Sequence, residues 1–185
     1  PVVYVTAYSS PLVLAQLQIF VRSLRDIGRY DGPIIVMTDQ TVEKINAICE
    51  EAPGTIGLDT MFPTDFVGYV CSKYKIFDKE QYQGFQPVVY FDPDIVIDNP
   101  IEPMLLAGTL TRRVCAPMET FHRLQSHPPV GATLLQLDQI DPGPFAAGVN
   151  GGTIMFPNIE DSGTRRAFDR IERTLTYVAM HFGRT

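Results

Sequence analysis

Lysine is nearly absent from this chain of 185 residues: Lys44, Lys73, Lys75 and Lys79 are the only four, against eleven arginines. With 15 cationic and 21 acidic side chains the net charge is −6. Such a balance argues against a nucleic-acid-coating surface. It also means that a phosphate-bearing ligand must be met locally, by a metal or a placed cation. Histidine is as scarce. His122, His127 and His181 form neither a His-x-His nor a His-Glu-x-x-His pattern, so no zinc centre is expected. The three cysteines, Cys49, Cys71 and Cys115, are widely spaced in apolar contexts. Free buried thiols in a reducing compartment are the expectation, not a disulfide or a zinc site. No stretch reaches the ~20 apolar residues of a membrane span. No basic segment precedes the apolar start at Pro1, so no signal peptide is visible, and the expected location is cytoplasmic. P-loop and dinucleotide fingerprints are missing as well. With 45% hydrophobic and 19% charged residues, the chain is neither disordered nor a coiled coil, and its length suits one domain over residues 1–185.

What is present is an alternation of apolar runs and helical patterns, the mark of an α/β protein. Val2 to Ala7 reads as a buried strand. Ser10 as N-cap and Pro11 at the first helical position then open a helix. Its stripe is Val13, Leu17, Phe20, Leu24 and Ile27, and Gly28 ends it. Pro33 to Thr38 is the second strand, Thr41 to Glu51 the second helix, and Thr55 to Leu58 a short third strand. A helix from about Tyr69 to Glu80 is followed by the apolar strand Gln86 to Phe91. Ile95 to Ile97 and Arg113 to Pro117 read as further strands, with a helix Pro100 to Ala107 between them. Phe121 to Gly152 is rich in proline and glycine, with Ala132 to Leu137 a candidate strand inside it. Thr153 to Phe156 is the last strand. A helix from about Ile159 to Met180 carries Phe168, Ile171, Leu175 and Val178 on one face and Arg165, Arg166, Asp169, Arg170, Glu172 and Arg173 on the solvated one. The expected fold is a mixed, mostly parallel Rossmann-like sheet with helices on both faces. Ligands in such sheets bind beyond the C-terminal ends of the strands.

Four groups of residues lie there. Asp92-Pro93-Asp94 ends a buried strand, and strand residues two apart share a side. Two unpaired carboxylates there would repel each other and suffer desolvation, which an oxygen-seeking ion, Mn²⁺ or Mg²⁺, relieves. The tripeptide alone is weak, since thirteen aspartates give roughly one Asp-x-Asp by chance, and a solvated turn is the plain alternative. Lys73 shares a helical face with Val70, Tyr74 and Phe77, where a cation wants an anion unless its tip snorkels to water. In Val149-Asn150-Gly151-Gly152-Thr153, two glycines would let a ligand approach the backbone, and Asn150 could bond a sugar hydroxyl, although Asn-Gly also marks ordinary turns. Around Thr6-Ala7-Tyr8-Ser9 and Asp39, Tyr8 could stack on a base and Asp39 could accept from a base N–H; a helix cap and a strand-end turn are the plainer account.

The first strand ending in Thr-Ala, Cys-Ser-Lys73-Tyr-Lys-Ile-Phe, Val-Val-Tyr-Phe-Asp92-Pro-Asp-Ile-Val-Ile, Pro-Ile-Glu-Pro-Met-Leu and Val-Asn150-Gly-Gly-Thr-Ile-Met-Phe-Pro-Asn together resemble a GT-A fold glycosyltransferase. Their order and spacing are similar to the glycogenin-like members of glycosyltransferase family 8, over about residues 2–158. The resemblance implies that Asp92 and Asp94 are the Asp-x-Asp pair that binds Mn²⁺ and the nucleotide sugar. It implies Lys73 near the donor diphosphate or sugar, Thr6, Ala7, Tyr8 and Asp39 around the nucleoside, and Asn150 and Gly151 at the sugar. Ala116-Pro-Met-Glu119 aligns with the strand bordering the acceptor side, which makes Glu119 a candidate for that pocket. The implied catalytic set is Lys73, Glu119 and Asn150. The implied reaction is transfer of a sugar from a nucleotide diphosphate donor, UDP-linked by expectation, to a glycan, protein or small-molecule hydroxyl.

The chain departs from that family in lacking the Gly-Asp-Gln segment and the His-x-x-Gly-x-x-Lys-Pro-Trp motif whose His is a third metal ligand. A fragment, a third ligand elsewhere and an open metal site all fit that departure. A non-catalytic donor-binding domain of a larger protein is one competing function. A sugar nucleotidyltransferase is another, though it needs a glycine-rich phosphate loop and Ala7 to Pro11 holds no glycine. An incomplete acceptor site is expected, with 121–148 the candidate lid, so that slow donor hydrolysis would outrun transfer.

Overall fold

Valine and isoleucine fill the short strands that organise the molecule, and their β-branched side chains suit a pleated surface buried on both faces. The computed structural model describes residues 1–8, 10–49, 56–63, 66–123, 139, 141, 143 and 146–182. Strands β1 (Val2–Thr6), β2 (Ile34–Thr38), β3 (Ile56–Thr60) and β4 (Val88–Phe91) run parallel, and the last strand of the sheet (Thr153–Phe156) runs antiparallel to β4. The order is β3-β2-β1-β4 followed by that antiparallel strand. Helix α1 (Pro11–Asp26) crosses from β1 to β2, and α2 (Val42–Ile48) crosses from β2 to β3. Helix α3 (Phe66–Cys71) passes into a 3₁₀ segment, Ser72–Asp78, and α4 (Glu102–Thr111) follows β4. A separate hairpin-like pair joins β5 (Met118–Arg123) to β6 (Ala147–Val149); the antiparallel sheet strand is therefore β7, and α5 is Ser162–Phe182. No helix among the described residues is long and apolar enough to cross a membrane.

Alternation along the strands splits the core in two. Val3, Val5, Ile34, Val36, Val89 and Phe91 face α1, α2 and α4, packing on Leu17, Phe20, Leu24 and Ile45. Val2, Tyr4, Ile35, Met37, Val88 and Tyr90 face the 3₁₀ segment and α5, packing on Ile76, Phe77 and Phe168.

Several expectations shift. The buried face of α1 is Leu14, Leu17, Phe20, Val21 and Leu24; Ile27 lies past the helix end and is exposed. Ser10 has extended cap geometry and Pro11 sits at the first position, but the Ser10 hydroxyl makes no cap bond. Residues 72–78 are 3₁₀ where an α-helix was expected. Tyr4 Oη donates to Ser72 O at 2.9 Å, taking a carbonyl that an α-helix would offer to residue 76. Arg165, expected on the solvated face of the last helix, donates from Nη1 to Phe77 O at 2.8 Å. Ile95 to Ile97 is not a strand: Ile95 N turns back to Asp92 O at 3.2 Å, and Ile97 N donates to Ser23 Oγ at 3.0 Å. Arg113 to Pro117 gives a single bridge, Cys115 to Met155, and pairing starts at Met118. All three cysteines are free, Cys49 buried and the other two half-buried. The expected strand Ala132 to Leu137, the end of the second helix at residues 50 and 51, and Thr55 lie outside the described residues.

Candidate functional site

β4 delivers the first acid. The strand stops at Phe91, where Pro93 has no amide to continue a ladder. Asp92 N still donates to Gly152 O at 2.7 Å, so the carboxylate leaves the sheet beside the start of β7. Asp94 sits exposed on the turn that follows. The two carboxylates are therefore not set by a common pleat, as the period-two reading expected, because the turn begins between them.

The 3₁₀ segment delivers the cation. Its pitch aligns residue i with i+3, so Lys73 lines up with buried Ile76 and not with Tyr74 and Phe77. The Val70 side chain lies outside the described residues. Lys73 Nζ donates to Gly151 O at 2.9 Å, stands 3.8 Å from Asp92 Oδ1 and lies 5.1 Å from the Tyr90 ring centroid. Its side chain is 14% exposed, that of Asp92 37%. The pair thus faces an opening without being dissolved in water.

The loop before β7 completes this half. Asn150 Oδ1 accepts from Gly152 N at 2.7 Å, an Asx turn, and Asn150 N donates to Pro117 O at 2.8 Å. A Cβ at Gly152 would lie 2.9 Å from Asp92 Oδ2 and 2.9 Å from Asn150 Oδ1. Only glycine leaves that carboxylate oxygen uncrowded. A hard carboxylate with this clearance suits an oxygen-seeking divalent ion. Among the described residues no group of three or more His, Cys, Asp or Glu could hold a metal.

The ends of β1 and β2 build a quieter half. Thr6 and Ala7 are buried, Ala7 N bonding Met37 O at 2.9 Å. Tyr8 is 8% exposed, its ring edge-on to Tyr69 at 5.1 Å and its hydroxyl 3.6 Å from the Met61 sulfur. Burial pushes the Tyr8 hydroxyl up to about 12. Asp39 accepts from Gln40 Nε2 at 2.6 Å. On β5, Glu119 pairs through its backbone with Gly148; its side chain lies outside the described residues.

The sequence reading missed Tyr90. Its hydroxyl donates to Asp92 Oδ1 and meets Thr6 Oγ1 at 3.1 Å, joining the two halves. Burial, reinforced by the Asp92 charge, holds this phenol far above its ordinary range, so it stays protonated. The signal was available: Tyr90 precedes Asp92 by two residues, on the same side of the strand. An apolar run hides one hydroxyl.

No family model and no curated protein matches the sequence. Solved structures do. The galactosyltransferase LgtC, determined with donor and acceptor sugar analogues, is similar at 14% identity and TM-score 0.71, over 98% of this chain and 65% of that one. Mouse xyloside xylosyltransferase 1 is similar at 11% identity and TM-score 0.63, over 96% of this chain and 74% of that one. A 4-diphosphocytidyl-2C-methyl-D-erythritol synthase from Anaerococcus prevotii shares the arrangement at 14% identity and TM-score 0.52, over 95% and 74%. The chain thus spans somewhat under two thirds of LgtC. At these identities the likeness speaks for architecture: the mixed, mostly parallel sheet is the GT-A fold of glycosyltransferases.

Proposed function

We propose that residues 1–185 form the donor-binding domain of a glycosyltransferase that takes a sugar from a nucleotide diphosphate, UDP by preference, to an acceptor hydroxyl. A place among the glycogenin-like family-8 enzymes fits the motif order. The observation that carries this reading is the convergence of Lys73, Asp92 and Gly151 beyond the strand ends of a GT-A sheet, Lys73 Nζ lying 2.9 Å from Gly151 O and 3.8 Å from Asp92 Oδ1.

Asp92 and Asp94 would hold Mn²⁺ or Mg²⁺, which when bound would neutralise charge on the departing diphosphate. An ammonium has three donors; one goes to Gly151 O at 2.9 Å, while Asp92 Oδ1, at 3.8 Å, is a charge neighbour outside hydrogen-bond distance. A remaining donor can meet a diphosphate oxygen, where Lys73 adds to stabilisation of the leaving group. Gly151 and Gly152 let the sugar come close to the backbone, and the Asx turn fixes Asn150 beside it. Thr6, Ala7, Tyr8 and Asp39 would border the nucleoside, with Asp39 accepting from a base N–H. Glu119 would face the acceptor.

The test is titration of UDP with and without Mn²⁺, followed by donor hydrolysis and transfer assays. Binding that strengthens at least tenfold with Mn²⁺, together with release of free sugar, supports the reading. Equal affinity in both conditions sinks the metal assignment. A nucleotidyltransferase is the second reading, favoured by the likeness to the diphosphocytidyl synthase. It predicts release of pyrophosphate from a nucleoside triphosphate, where the first predicts none. Nucleotide binding with neither activity would leave a non-catalytic donor-binding domain.

A further inference from the structure

We infer that Tyr90 is a positioning residue, one side chain that sets both charged groups facing the donor. Its hydroxyl fixes the Asp92 carboxylate and its ring underlies the Lys73 ammonium. The inference rests on the donor reading above and assigns the role to a residue which that reading does not use.

Tyr90 is 2% exposed, and its ring packs on Tyr4 with centroids 5.6 Å apart. Neither ring can swing aside without opening the layer beneath the 3₁₀ segment. The hydroxyl lies between Thr6 Oγ1, at 3.1 Å, and Asp92 Oδ1. A carboxylate only accepts, so the phenol proton goes to Asp92 and the Thr6 hydroxyl proton to the phenol oxygen. The order is therefore Thr6 to Tyr90 to Asp92. The carboxylate torsion of aspartate is intrinsically broad. Binding Oδ1 fixes it and turns Oδ2 toward the clearing that Gly152 leaves, where a Cβ would sit 2.9 Å away. The same ring has Lys73 Nζ 5.1 Å from its centroid, within reach of a cation–π contact. The two charges, 3.8 Å from each other, rest on one rigid support, and the support is anchored at Thr6, the end of β1.

Tyr90→Phe keeps the ring, the Tyr4 contact and the Lys73 contact, and removes only the hydroxyl. Groups that orient metal ligands are commonly worth roughly tenfold or more in metal affinity. Binding of Mn²⁺ is read by electron paramagnetic resonance in the presence of saturating UDP. Tyr90→Phe should weaken Mn²⁺ about tenfold, with melting shifted by only a few degrees, and excess Mn²⁺ should restore UDP binding. Thr6→Val, which removes the far end of the chain of bonds, should weaken Mn²⁺ two- to fivefold and stands in should Tyr90→Phe not fold. Asp92→Asn separates the two ideas. If Asp92→Asn loses Mn²⁺ while Tyr90→Phe and Thr6→Val keep wild-type affinity, the positioning role is overturned and the donor reading survives. If Asp92→Asn itself keeps Mn²⁺, both fall.

Discussion

The two faces of the sheet are made by the same strands and do different work. Facing α1, the central positions are Val3, Val5, Val89 and Phe91, with no polar atom among their side chains. One residue along, the opposite face carries Tyr4 and Tyr90, whose hydroxyls reach Ser72 O and Asp92. Burying a phenol costs little only if its oxygen finds a partner. These tyrosines find theirs at the edge of the candidate site. The α1 face thus supplies cohesion, while the tyrosine face uses the same burial to fix a carbonyl of the 3₁₀ segment and a carboxylate. A protein can place charged chemistry against a hydrophobic layer by letting only alternate residues of a strand carry a hydroxyl.

Breaking the α1 face should give the largest effect. Phe20 is fully buried and packs 5.5 Å from Phe91. Phe20→Ala should cost about 3–5 kcal/mol in denaturant unfolding, while the surviving folded fraction keeps its nucleotide affinity. On the tyrosine face the order reverses. Asp92→Asn should cut donor turnover by about a hundredfold, roughly 2.7 kcal/mol of barrier, with melting nearly unchanged. Lys73→Met keeps the stem and should cut turnover more than tenfold; collapse of stability with full activity in the folded fraction would make Lys73 a structural partner instead. Tyr4→Phe, also on the tyrosine face, touches both stability and site. It removes the phenol bond to Ser72 O and should cost about 1 kcal/mol, with nucleotide affinity falling a few-fold because Lys73 follows Ser72.

The smallest effect concerns alkali. Burial pushes the Cys49 thiol, on the α1 face, from 9.0 up to about 11. The folded state then keeps its proton while the unfolded chain releases one. Stability from this group is whole below pH 9 and is lost as pH climbs toward 11. Unfolding midpoints at pH 8 and pH 10.5 should differ less in Cys49→Ala than in the parent.

Much of this comparison is legible in the sequence, and the illegible part has a common cause. β1, β2, β4 and β7 fall within two residues of their expected bounds, because each is a run of apolar residues with no competing partner. Asp92, Lys73 and Gly151 do converge. What could not be read depends on backbone groups claimed from far away. Ser23 Oγ takes the Ile97 amide across 74 residues, and Tyr4 takes the Ser72 carbonyl across 68, so a strand and an α-helix both fail to form as local propensity suggests. Tyr90 stayed hidden for the complementary reason: its hydroxyl bonds a near neighbour, but hydropathy scores the ring.

The bond from Arg165 to Phe77 O spans 88 residues, and the bond from Lys73 to Gly151 O spans 78. Both pin the 3₁₀ segment from the C-terminal side. During synthesis, β1 to β4 emerge long before either anchor exists. The cation of the site therefore lacks its carbonyl seat until residue 151 has been made, and the 3₁₀ segment that carries it lacks its second pin until residue 165, both well after the four parallel strands.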